Sequence, residues 1–395
     1  MQLDLPTPSP EALAHSETVC IHVAEHIQAA GGWICFAEYM SLVLYAPGLG
    51  YYSAGAHKFG EAGDFVTAPV ISPVFSQCLA GQCAEVLNAL GGGTILEPGA
   101  GTGIMAADML LELERLQALP DEYLILEPGA DLRERQLQTI MQRVPHLRER
   151  VRWLDSAPAE AFRGVVVANE VLDALPVQRF VLRGEDTHEL GVALAGTQLV
   201  ARSRPAGTAL SAAIENIRCL PGFSPADGYE SEICMQLPAW IQTVAEWLNE
   251  GVALFLDYGF PRHEYYFSER SSGTLRCYYR HRAHENPFVW PGLQDITAWV
   301  DFSFLAETAM AAGFVLTGYT TQANFLLASG IDERVSAHTG GQRAQVELAS
   351  GLRQLLLPGE MGESVKVMAL SRGGAAAPSG MYGRDMRSRL RIPNI

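Results

Sequence analysis

A chain of 395 residues, 48% hydrophobic and 18% charged, can bury a full α/β core with room for a second lobe. A formal net charge of −16 argues against a general nucleic-acid binder, because backbone affinity comes from lysines and arginines that neutralise phosphates; a basic protein segment is the better-matched partner. No apolar run reaches bilayer length, so no membrane span is expected, and seven cysteines without a C-x-x-C pair suit neither a disulfide framework nor a zinc site.

Residues 1–17, with Pro6, Pro8 and Pro10 and little apolar periodicity, read as a flexible arm. The first lysine or arginine is Lys58, so neither the cationic region of a secretory signal nor the arginines of a mitochondrial presequence is present, and a cytoplasmic protein is expected. An N-terminal helical and lid region follows over 18–90. Its helix, 18–30, aligns Val19, Val23, Ile27 and Ala30 on one face. Between Phe36 and Gly81 lies a run rich in glycine, tyrosine and proline, including Tyr45-Ala-Pro-Gly-Leu-Gly-Tyr-Tyr52 and Phe59-Gly-Glu-Ala-Gly-Asp-Phe-Val-Thr-Ala-Pro69. It is too apolar for a linker and too broken for regular elements, which predicts an ordered lid over a site.

Residues 91–370 alternate apolar strands with helices. Strands are predicted near 94–97, 122–127, 150–154, 164–169, 251–257, 314–321 and 365–370, which implies a doubly wound, seven-stranded, mostly parallel sheet of Rossmann-like type. The first strand runs into Glu97-Pro-Gly-Ala-Gly-Thr-Gly103, a glycine turn before a helix, which is the arrangement that lays a nucleotide-like ligand across the sheet end. Gly101, Gly103 and Ala106 also fit the dinucleotide spacing, but that reading leaves Glu97 facing a pyrophosphate of like charge. The same carboxylate suits the ammonium of S-adenosylmethionine, whose carboxylate the helix N-terminus can take. Glu127, closing the next strand, can accept hydrogen bonds from the ribose hydroxyls of either cofactor, and Asp155 ends a third strand where an acid can reach the adenine amine. The bland alternative is a turn that only packs helix on sheet.

The fourth strand leads into Asn169-Glu-Val-Leu-Asp-Ala-Leu-Pro-Val177, placing Asn169, Glu170 and Asp173 at the sheet edge where ligands of such folds bind. A guanidinium is protonated at pH 7 and offers a planar fork of donors, so an acid pair can hold it and draw its charge away from the attacking nitrogen. Glu170 and Asp173 share a face if a helix starts here; equally, Asn169 and Asp173 can simply cap that helix. Residues 180–205 read as a hairpin insertion. Asp257 ends the fifth strand as polar lining or as part of a turn with Gly259. A second insertion, 258–300, resembles the first lid in composition; its His281-x-x-His284 pair with Cys277 nearby reads as loop histidines rather than a metal site. Residues 371–395, glycine- and alanine-rich and then arginine-rich, read as a flexible tail. No nucleophile elbow or P-loop is present.

Taken together, these motifs resemble the mitochondrial complex I assembly-factor arginine methyltransferases and their bacterial homologues. The resemblance covers residues 34–370 and rests on Gly50-Tyr-Tyr52, Gly63-Asp-Phe-Val-Thr-Ala-Pro69, the 97–103 turn, the 169–177 segment, Leu256-Asp-Tyr-Gly259, Gly273-Thr-Leu275, Pro291-Gly-Leu-Gln-Asp-Ile-Thr297 and Val300-Asp-Phe302. It implies an S-adenosylmethionine-dependent methyltransferase acting on an arginine of a protein, with a respiratory-complex subunit as the target class and a homodimer as a further expectation. By position it implies cofactor contacts from Glu97, Gly99, Gly101, Gly103 and Glu127, with the Gly63–Pro69 lid, Thr67 and Pro69 among it, closing over the cofactor; the residue reading adds Asp155 to the cofactor set and Asn169, Glu170 and Asp173 as the catalytic group. The chain departs from the family at Pro69-Val70, where an acid would follow the proline, and matches only in part at Pro128-Gly129-Ala130. Other readings of the same residues are an assembly factor that keeps the fold as a scaffold, a small-molecule methyltransferase and, more remotely, a dehydrogenase.

Overall fold

The apolar runs after residue 93 become the strands of one sheet in the computed structural model, which describes residues 5–54, 67–337 and 341–392. From edge to edge the sheet runs Val315–Thr321, Val365–Arg372, Leu248–Phe260, Phe162–Asn169, Thr94–Pro98, Tyr123–Leu126 and Val151–Leu154. Among the described residues the two-residue strand Val300–Asp301 pairs with the end of Leu248–Phe260 and brings the strand number to eight rather than seven. The five strands from Leu248–Phe260 to Val151–Leu154 are mutually parallel, while Val365–Arg372 is antiparallel to both of its neighbours.

Val165, Val166, Val167 and Ala168 are all buried, as expected of a central strand covered on both faces. One face packs under the helices Pro73–Leu90 and Ile104–Arg115 through Ile95, Val165, Val167 and Val252. The other presents Phe255 to Trp240, ring centroids 5.9 Å apart. The chain moves outward from Thr94–Pro98 to Val151–Leu154, then returns to Phe162–Asn169 on the opposite side of Thr94–Pro98. The strand order therefore reverses beside the glycine turn, the position at which open α/β sheets bind ligands.

The chain divides into two units. The larger comprises Val66–Leu172, Pro238–Pro261 and Val300–Ile395 and holds this sheet; the smaller comprises Met1–Phe65, Asp173–Leu237 and Arg262–Trp299. The boundaries expected at 90 and 370 thus differ from those observed. In the smaller unit, residues 191–193 of Asp186–Ala195 pair with Trp33–Cys35, so the 180–205 insertion and the N-terminal segment build one five-stranded antiparallel sheet with Gln178–Arg183, Gln198–Pro205 and Tyr229–Ile233. Gly191 is needed there, because a Cβ would sit 2.3 Å from the Ile34 carbonyl oxygen. The 258–300 segment contributes a second sheet, Arg276–Tyr279 flanked by Arg282–His284 and Asp295–Thr297.

Three expectations of irregular structure give way to regular elements. Helix Pro10–Ala29 starts inside the supposed arm, because Ser9 caps it by accepting from the Ala12 N–H at 3.2 Å and Pro10 suits the first helical position. Within 36–81, Phe36–Tyr45 is a helix whose Phe36, Tyr39, Met40, Val43 and Leu44 are buried at helical spacing; residues 55–66 of the lid lie outside the described residues. The tail is docked rather than flexible. Ser379 hydrogen-bonds Glu85 through N–H and hydroxyl at 2.8 and 2.6 Å, the Met386 N–H donates to the Tyr319 carbonyl at 2.8 Å, and Met381, Met386 and Leu390 are buried.

Candidate active site

Everything from Glu97 to Gly103 follows from a strand that must turn sharply into a helix. Gly99, Gly101 and Gly103 have φ of +66°, +53° and +78°, and Gly103 stands at the N-terminus of Ile104–Arg115 with no side chain capping the first-turn N–H groups. At Gly101 the turn is open, with nothing within 4 Å of where a Cβ would lie, whereas at Gly103 a Cβ would come within 3.0 Å of the Gln136 Cα. Both Gly101 and Thr102 are exposed. An open glycine turn on a bare helix N-terminus leaves room and donors for an anionic group.

Glu97 is 1% exposed, and its Oε2 accepts from the Tyr123 hydroxyl at 2.6 Å. Burial pushes its carboxyl up to about 7, against which the Tyr123 hydrogen bond acts. The acid is therefore poised between neutral and charged near pH 7. Tyr123 stands on the adjacent strand and carried no signal in the sequence beyond its place in an apolar run.

Glu127 is also buried, and it is well partnered. Its Oε1 accepts from the Gly129 N–H at 2.9 Å and its Oε2 from the Gln136 amide at 3.3 Å. Burial raises its carboxyl, while those two donors and then Arg133 pull it back down. Asp155 stands apart from this network: it is exposed, with the Ser156 hydroxyl donating to it at 3.4 Å.

At the next strand end the expected helix does not form. Residues 170–175 form an irregular stretch with bends and turns and no helix, so neither the shared helical face of Glu170 and Asp173 nor the helix-cap reading holds. Glu170 takes φ +51°, unusual for a side chain with a Cβ, with its N–H on the Leu256 carbonyl at 2.8 Å. Its Oε1 accepts from the Ala68 N–H and from the Asn169 amide, each at 3.3 Å. This links it to the short helix Ala68–Ile71, where Thr67 precedes the first turn, Pro69 is buried and Val70 is exposed. Asp257, left open between two roles, is 1% exposed and accepts from the N–H groups of Val171 and Leu172 at 3.2 and 2.8 Å and of Tyr258 at 2.8 Å, fastening the loop after Asn169.

Asp173 falls in the smaller unit, where it is 7% exposed and its carbonyl accepts from the Ala298 N–H at 2.9 Å. Tyr52 donates to Asp295 Oδ1 at 2.8 Å and stacks on Tyr45 with centroids 5.5 Å apart, and the Tyr45 hydroxyl donates to the Ala174 carbonyl at 2.7 Å. Burial and then the Asp173 carboxylate raise the Tyr278 hydroxyl above its ordinary value. Tyr45 and Tyr52 come from the tyrosine-rich run read as a lid, Asp295 from the 291–297 motif and Tyr278 from the strand Arg276–Tyr279. In the same unit His284 Nδ1 accepts from the Asn286 N–H at 3.3 Å.

In the larger unit the residues present fit S-adenosylmethionine: an open turn for close approach, bare N–H groups for a carboxylate, and two buried acids at adjoining strand ends. A Burkholderia thailandensis protein crystallised with S-adenosyl-homocysteine is 44% identical and superposes with a TM-score of 0.92, covering 98% of this chain and 100% of its own. The protein arginine methyltransferase NDUFAF7 of Mus musculus is 29% identical over 382 residues, 88% of this chain and 83% of its own, and the Drosophila melanogaster homologue is 27% identical over 426 residues, 96% and 92% of the two chains. Both of these relatives are mitochondrial proteins, which overturns the cytoplasmic placement expected from the sequence. No helix of the described residues is long and apolar enough to cross a membrane. Residues 78–320 match the model of the S-adenosyl-L-methionine-dependent methyltransferase family, and with that match spanning more than half its length, the chain belongs to this family.

Proposed function

We propose that this chain transfers methyl groups to an arginine guanidinium of a protein substrate. The observation that carries the reading is the likeness to relatives named protein arginine methyltransferases over nearly the whole chain. An acidic protein with buried carboxylates suits a basic substrate segment. Respiratory-complex subunits are the first class of target to test.

S-adenosylmethionine supplies a methyl group on a sulfonium. On this reading Glu97 receives the ammonium, the Ile104–Arg115 N-terminus the carboxylate, and Glu127 the ribose hydroxyls. Gly99, Gly101 and Gly103 allow close approach, with Asp155, Thr67 and Pro69 at the rim. Glu170, with Asn169 beside it, orients the guanidinium and holds its charge away from the nitrogen that attacks; Asp173, three positions on in the chain, is a separate candidate for the same task. The burial of Asp173 makes such a contact stronger than it would be in water.

The test is transfer of labelled methyl from S-adenosylmethionine to protein of a cell extract by wild type, Glu170→Gln and Asp173→Asn. Both variants are expected to bind S-adenosylhomocysteine as wild type does and to lose label transfer by roughly a hundredfold. Full transfer by either variant would remove that residue from the mechanism.

A further inference from the structure

Gln136 sits on the polar helix Ala130–Arg143, in a segment that drew no attention in the sequence, yet it is fully buried. Its amide touches three different strand ends of the larger unit. Nε2 donates to the Gly101 carbonyl at 3.1 Å and to Glu127 Oε2 at 3.3 Å, while Oε1 accepts from the Trp153 indole N–H at 2.8 Å. An indole N–H can only donate, so Trp153 fixes which end of the amide faces it and turns the NH2 toward the carbonyl and the carboxylate. The helix backbone lies close against the turn, since a Cβ on Gly103 would come within 3.0 Å of the Gln136 Cα.

We infer that Gln136 is a positioning residue for the cofactor: it sets the distance between the glycine turn and Glu127, so that Glu127 meets the ribose hydroxyls while Gly101 stays at the ligand. The inference rests on the ribose role of Glu127 proposed above. Three features carry it. Gln136 is the protein donor to Glu127 Oε2, it bonds the one carbonyl of the turn that lies at the open glycine, and its own orientation is imposed by a third element. Filling space alone would be served by methionine, which has nearly the same shape and no amide to satisfy.

The test compares S-adenosylhomocysteine with its 2′-deoxyribose analogue by calorimetric titration into wild type, Gln136→Met, Trp153→Phe and Glu127→Gln. Wild type is expected to prefer the ribose ligand by tenfold or more. Gln136→Met is expected to reduce that preference to threefold or less, as Glu127→Gln does, with Trp153→Phe falling between. A purely structural role would weaken both ligands equally and leave the ratio intact, which would overturn the inference. Trp153→Phe keeps the question answerable should Gln136→Met fail to fold, because it frees the amide without emptying the core: a wild-type ratio in that variant counts against positioning. A wild-type ratio in Glu127→Gln would instead remove the ribose role of Glu127, and the inference with it.

Discussion

Replacing Glu97 by glutamine should make the protein's stability less sensitive to alkali, and the size of the effect follows from the burial of this carboxyl. In the folded chain its value is about 7 against an ordinary 4.5. A folded value above the unfolded one means the charged form is disfavoured by folding. The penalty is absent below about pH 4.5, grows between the two values and is complete above about pH 7. From these values the linkage gives about 0.8 kcal/mol of destabilisation at pH 5 and about 3.3 kcal/mol at pH 8, a difference of about 2.5 kcal/mol. Glutamine keeps an oxygen to accept from the Tyr123 hydroxyl and carries no titrating proton. Urea unfolding of the cofactor-free protein at pH 5, 6, 7 and 8, followed by circular dichroism, gives the stability difference between Glu97→Gln and wild type. Any constant offset from the new NH2 group cancels in the pH dependence, as do all other titrating groups. The variant should gain on wild type by about 2.5 kcal/mol across this range. A difference that stays flat, or that turns against the variant as pH rises, would refute the assignment of a strained buried carboxyl.

The same carboxyl links cofactor binding to protons. An ammonium placed beside Glu97 lowers its value, so binding S-adenosylhomocysteine at pH 7 should release roughly half a proton, read from calorimetry in buffers of different ionisation enthalpy and abolished in Glu97→Gln; no release in wild type would separate Glu97 from the ammonium. Gly101→Val should fold with a loss of about 1–2 kcal/mol from its left-handed backbone and bind S-adenosylhomocysteine at least tenfold more weakly, since the side chain enters open space at the turn. Gly103→Val should instead show its main loss in thermal unfolding, because it drives into the Gln136 backbone. Removing residues 375–395 exposes the seats of Met381, Met386 and Leu390, each worth roughly 1.5–3 kcal/mol, and should lower the melting temperature by at least about 5 °C. An unchanged melting temperature would show that the docked strap contributes nothing.

Much of the parallel sheet was legible because its strands are continuous apolar runs that end in acids or glycines, and each is paired with strands carrying the same local signal. The smaller unit was not. Trp33–Cys35 is three residues long and finds its partner around residue 192, a pairing that no local period reports. Composition misled in the same way at the C-terminus: glycine, alanine and arginine spoke for a tail, while three separated apolar side chains and the backbone of 379–386 do the docking. At the site, Glu97, Glu127 and the three glycines stood out by spacing. Their supports did not, since Tyr123 and Gln136 are ordinary residues of a strand and a helix whose importance lies in hydrogen bonds across elements. In place of the helix anticipated at Glu170 stands an irregular turn, with Glu170 itself in the left-handed region and the N–H groups of Val171 and Leu172 held by Asp257, a residue more than eighty positions away.

The most direct test of the central claim is the identity of the residue that receives the methyl group. Cell-extract protein incubated with the enzyme and methyl-labelled S-adenosylmethionine, then hydrolysed to amino acids, should carry its label in methylarginine. Label confined to other residues or to small molecules would contradict arginine methylation while leaving the cofactor site in place.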